Sequence, residues 1–145
     1  MKVFFDSNVL IAAFLEEHEH HGRALPVVAR VHEGKDAGFA SAHTVLELYA
    51  TLTRLPRSPR LLPQQAAAMI EENVVGHFEL ISLTAREYGA LVLRLGRQGV
   101  AGGISYDALH MACARKCKAD RVYSFNARHF QAVADSEIAN RIVSP

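Results

Sequence analysis

Four short apolar runs, each followed by helical patterning, constrain this chain more than any other feature. Strands are expected at Lys2–Phe5, Gly38–Ala40, Phe78–Ile81 and Arg121–Ser124. Helical patterns follow each: Asn8–Glu16 and His20–Glu33, then Ala42–Leu55 and Pro63–Val75, then Ala85–Arg97 and Ser105–Lys118, then Ala127–Ala134. Thr84 and Glu87 form a capping box, and Pro63 suits a first helical turn. Ser41 and Ser105 are suited to cap the helices that follow them. The stretch Leu55–Arg60, with Pro56 and Pro59, reads as a loop, and Gly99, Gly102 and Gly103 mark another break. Strands alternating with helices imply an α/β fold, a parallel sheet covered on both faces with right-handed crossovers. All strand carboxyl ends then share one edge, where ligands gather in such sheets.

The length of 145 residues fits a single domain, 1–145, and a 50% hydrophobic content supplies its core. A net charge of +1 means that a polyanion site must be local. The opening, one Lys before a three-residue apolar stretch, is too short for a signal peptide. No run approaches the roughly 20 apolar residues of a membrane helix. Cys113 and Cys117 share a helix at a spacing that suits disulfide geometry poorly. Two unpaired thiols fit a reducing cytoplasm.

The polar residues near the carboxyl edge are the candidates for chemistry. Asp6 directly follows the first strand, where it could hold a cation or merely cap the next helix. Asp107 lies in the first turn of an otherwise apolar helix, where burial would demand a partner or a metal. Glu47 lies off the stripe of Val45, Leu48, Tyr49 and Leu52, so periodicity alone places it on a solvated face. Asn126 follows the fourth strand and by itself is a turn residue. Asp36 and Asp120 precede strands and belong to the opposite edge, and Asp135 lies a helix further on.

Together these pieces resemble PIN-domain ribonucleases, most closely VapC-like toxins. The matching segments are Val3–Leu10 with Asp6, Ser41–Tyr49 with Glu47, Tyr106–Ala112 with Asp107, and Ser124–Phe130 with Asn126. The resemblance implies a three-layer α/β/α sandwich around a parallel sheet. It also implies that Asp6, Glu47 and Asp107 bind Mg²⁺ or Mn²⁺ and that the site cuts RNA. It moves Glu47 from a solvated face into the site. Asn126 stands where many members carry Asp. An amide oxygen there could still bind a hard cation or its water. A cognate antitoxin and a homodimer are the partners implied.

Asp6 and Asp107 are then the expected direct ligands, with Glu47 and Asn126 holding metal-bound waters. In-line attack by a water on the phosphodiester would follow, leaving a 5′-phosphate. Ser7 and Ser124 border the site, where they could bond the carboxylates or the scissile phosphate or be simple turn hydroxyls. His110, one turn from Asp107, could bond that acid, reach substrate or be a satisfied core histidine. Arg54, Arg57 and Arg60 form a basic loop that could track RNA or simply be solvated. The tract Glu16–His21 is expected to be a solvated connection, and His110 with Cys113 and Cys117 lacks the second ligand pair that zinc needs. A haloacid-dehalogenase-like phosphatase is the rival enzyme, but Asn8 stands where its second acid belongs. An inactive PIN-like RNA-binding module is the rival without chemistry.

Overall fold

A computed structural model describes all residues 1–145. Five parallel strands form one sheet: β1 (Lys2–Phe5), β2 (Ala37–Ser41), β3 (Phe78–Ile81), β4 (Arg121–Tyr123) and β5 (Ile142–Val143), in the order β3-β2-β1-β4-β5. The helices are α1 (Ser7–Phe14), α2 (His21–His32), α3 (Ala42–Arg54), α4 (Pro63–Ile70), α5 (Ala85–Gln98), α6 (Ile104–Lys116), α7 (Ala127–Val133) and α8 (Ser136–Ala139). The register pairs Phe4 with Phe39 on one side and with Val122 on the other.

Alternation along β1 explains the layers. Val3 and Phe5 point into one core with Leu10, Val28, Leu48, Leu52 and Phe78. Phe4 points into the other, with Phe39, Leu95, Met111, Val122 and Phe130. Helices α1 to α4 cover the first face, and α5 to α8 the second. The chain is the three-layer α/β/α sandwich expected. Its order reverses at β1, so the crevice beyond β1 and β4 is the switch point of the sheet.

Gly38 shows how tightly the layers meet. A Cβ there would stand 2.5 Å from Val31 Cγ1 and 2.8 Å from the Phe78 ring. Overpacking of this kind costs about 1–3 kcal/mol, and Gly38→Ala should lower stability by that amount in urea unfolding. An unchanged midpoint would show that α2 lifts off the sheet freely.

Several expected boundaries shift. The helix expected to run to Val75 ends at Ile70 and continues as a π-helical turn, Glu71–Val75. Strand β5 and helix α8 have too few residues for periodicity to register. Ser41 caps α3 as expected, accepting from Thr44 N at 3.2 Å, and the Thr84–Glu87 capping box forms. Ser105 does not cap α6. That helix starts one residue earlier, and the Ser105 hydroxyl donates back to Gly102 O at 2.8 Å.

Candidate active site

The turn after β1 places Asp6 at the carboxyl edge. Asp6 occupies the N-cap position of α1, yet its side chain makes no capping bond. It is only 5% exposed, and it accepts the Ser124 hydroxyl at 2.8 Å. Ser124 Oγ in turn accepts from Asn126 N at 2.9 Å, so one hydroxyl ties the β1 turn to the β4 turn. Asn8 adds a second tie, its Oδ1 accepting from Phe125 N at 3.3 Å. The position where a phosphatase would need its second acid therefore has a structural task.

Helix α3 brings Glu47 to the same region, against α6. His110 Nε2 donates to Glu47 Oε1 at 3.3 Å, and His110 Nδ1 meets Ser41 Oγ at 2.9 Å. Because a carboxylate only accepts, Nε2 carries the proton. Of the three roles open to His110, the structure shows the satisfied core histidine: the ring is 2% exposed, bonds Ser41 and Glu47, and makes no bond to Asp107. His43, one turn before Glu47, lies 3.6 Å from Oε1. Glu47 Oε2 lies 3.1 Å from His110 Nε2 but off the hydrogen-bond axis, and it is sealed from solvent with no hydrogen-bond partner. The Ser7 hydroxyl reaches Asp6 Oδ1 at 3.4 Å and also steadies Glu47. Its single proton serves one acid at a time.

Electrostatics separate the three acids. Burial pushes Asp6 up to about 6, against the opposing bond from Ser124, and the charges of Glu47 and Asp107 add to the rise. Burial also raises Asp107, partly offset by the charges of His110 and His129. For Glu47 burial again acts upward, but the His110 bond and charge outweigh it and hold the carboxyl below its usual range. Burial pulls His110 down, and the acids around it, Glu47 foremost, carry it above its ordinary value. Asp107 is half-buried rather than enclosed, and the exposed Asn126 makes no capping bond with its side chain.

No three His, Cys, Asp or Glu side chains converge tightly enough to ligate one ion directly. A hydrated Mg²⁺, which keeps several of its waters, does not require such convergence. The donors fit a hard cation in kind. They are carboxylate oxygens, one of them a buried oxygen without a hydrogen bond, around an acid raised by burial and, to a lesser degree, by its like-charged neighbours.

The remaining candidates fall outside this cluster. Asp36 pairs with the N-terminus and Arg30, and Asp120 accepts from Lys2 N, both at the opposite edge. Arg57 pairs with Glu17 at 3.5 Å. In the His tract, His21 bonds Ala12 O and His20 stacks on Phe125. Cys113 and Cys117 are free and buried, and burial pushes them up to about 12 and about 11, which makes both thiols inert.

A family model described as PIN domain matches residues 3–136, the span that carries every acid of this cluster. The chain belongs to the PIN-domain family. Its relatives include Ribonuclease VapC40 of Mycobacterium tuberculosis, 34% identical over 105 residues that make up 72% of each chain. Ribonuclease VapC27 of the same organism is 31% identical over 106 residues, 67% of this chain and 75% of its own. Among solved structures, VapBC2 from Rickettsia felis bound to a DNA fragment from its promoter superposes with a TM-score of 0.60. It covers 90% of this chain and 92% of its own at 18% identity, a likeness of fold.

Sequence reasoning missed Ser41 and His43 as site residues. The signal for His43 was its spacing of one helical turn from Glu47. Ser41 was read only as a cap. Its bond to His110 spans 69 residues of sequence and left no local trace.

Proposed function

We propose that this PIN domain is a Mg²⁺- or Mn²⁺-dependent ribonuclease, the toxin of a toxin–antitoxin pair, acting in the cytoplasm as one domain. The observation that carries the reading is Asp6. It is a carboxylate at the switch point of the sheet, unused as a cap and raised by burial, with two other acids adding to the rise. Such an arrangement is unfavourable for stability alone and favourable for holding a cation.

Asp6, Asp107 and Glu47 would hold the ion, with Asn126 at the rim of the site. When bound, the ion supplies charge neutralisation for a phosphodiester and acidifies a water. The residues of the chain do the positioning. Ser124 fixes one Asp6 oxygen, and Ser7 stands between Asp6 and Glu47. His110, anchored on Ser41, orients Glu47. His110 thus acts through Glu47 and is a positioning residue.

The groove between α1, α2 and α4, lined by Phe14, Leu25, Val28 and Met69, is apolar and suits an antitoxin helix. A homodimer is the other assembly we propose. No helix of this chain is long and apolar enough to cross a membrane.

The discriminating experiment offers the purified protein RNA and a small phosphate monoester, each with Mg²⁺. Cleavage of RNA with no monoester hydrolysis is expected. Monoester hydrolysis without RNA cleavage would favour the phosphatase. RNA binding with no cleavage would favour the inactive binding module.

A further inference from the structure

Resting on the ribonuclease reading, we propose that Tyr106 is a stacking platform for an unpaired nucleobase beside the scissile phosphate. Tyr106 is 54% exposed, the most exposed aromatic of the chain, against 45% for Tyr88 and 39% for Tyr49. It immediately precedes Asp107, in the first turn of α6. The His43 ring lies parallel to it, at an interplanar angle of 3° and a centroid distance of 5.2 Å. His43 itself is 3.6 Å from Glu47 Oε1. The phenol is therefore backed on one side by a ring that lies against the acid cluster, and it is exposed to solvent.

This backing matters for binding. An exposed tyrosine normally loses rotamer freedom when a ligand stacks on it, whereas a ring already held by a parallel neighbour loses less. Other aromatic residues near the site are engaged. Phe125 carries His20 at 4.5 Å and Arg23 at 5.4 Å, and Phe130 is fully buried. A base inside an A-form duplex is stacked on its neighbours and cannot present a free face. A base in a loop or single strand can. The platform therefore serves a base presented by a loop or a single strand.

The chain contains no tryptophan, so Tyr106→Trp installs a single indole reporter at the platform. Adding a short single-stranded RNA should quench its emission, while the same sequence closed into a duplex should leave emission nearly unchanged. In steady-state cleavage, Tyr106→Ala should raise KM roughly 5- to 150-fold, the worth of one base–aromatic stack. Its kcat should change far less, and Tyr106→Phe should restore KM. Wild-type KM in Tyr106→Ala, or no quenching by single-stranded RNA, would overturn the stacking role. Cleavage without quenching removes the platform and leaves the nuclease. Quenching without any cleavage supports the platform and removes the nuclease reading instead.

Discussion

Asp6→Asn should abolish RNA cleavage and, at the same time, raise the melting temperature. The loss of activity follows from removing a carboxylate at the centre of the cation site. An ion's charge stabilisation of the transition state is worth several kcal/mol, so the rate should fall by roughly 10³-fold or more. The gain in stability follows from burial. The folded protein holds Asp6 at about 6 rather than 3.8, so folding favours the protonated form. The associated stability is fully present below pH 3.8 and is lost as pH rises through about 6. At neutral pH the ionised group costs the fold about 3 kcal/mol. Asparagine keeps an acceptor for Ser124 and offers an amide that can donate to Ser7, without the charge. For a chain of this length the gain corresponds to roughly 6–12 °C. Added Mg²⁺ should narrow the difference by stabilising the wild type alone. Calorimetry at neutral pH decides it: an inactive variant that melts at or below the wild-type temperature would show that Asp6 is not held under electrostatic strain.

His110→Ala should have the largest destabilising effect of any substitution at the site, about 2–4 kcal/mol. The ring is 2% exposed and bonds both Ser41 and Glu47. Its loss leaves a cavity and a carboxylate without its donor, while Ser41 keeps only its contacts to Thr44. The pair also has a pH signature. Glu47, held low, stabilises the fold above its ordinary 4.5 and loses that contribution as pH falls through its lowered value. His110, held high, stabilises below 6.5 and loses that contribution as pH rises through its raised value. Their joint contribution is therefore greatest between about pH 4.5 and 6.5. Urea unfolding across pH should show His110→Ala losing most in that window, and Glu47→Gln in the same background should add less than it does alone. Fully additive losses would mean that the two side chains are not coupled.

The architecture was legible because alternation and helical periodicity are local signals. Phe4 between Val3 and Phe5 already separates the two cores, and the turn at Asp6 follows directly. The edge rule correctly set aside Asp36 and Asp120, whose partners lie at the amino ends of the strands. Glu47 was not legible from periodicity, because α3 is covered on two sides, by its own core stripe and by His110 from α6. For His110 the sequence left open Asp107, the substrate or a satisfied core, since only a neighbour one turn away is visible locally. The structure turns the ring to a residue 63 positions distant. Ser105 failed as a cap because the glycines before it let α6 begin at Ile104.

Under the proposed function, the acids beyond β1 make RNA cleavage depend on a divalent cation. This dependence is tested most directly by single-turnover RNA cleavage in EDTA, with Mg²⁺ then titrated back, for wild type and Asp107→Asn. The expected result is no cleavage in EDTA, recovery with Mg²⁺ in the wild type, and recovery in Asp107→Asn only at much higher Mg²⁺ or not at all. Cleavage at an equal rate in EDTA would contradict it.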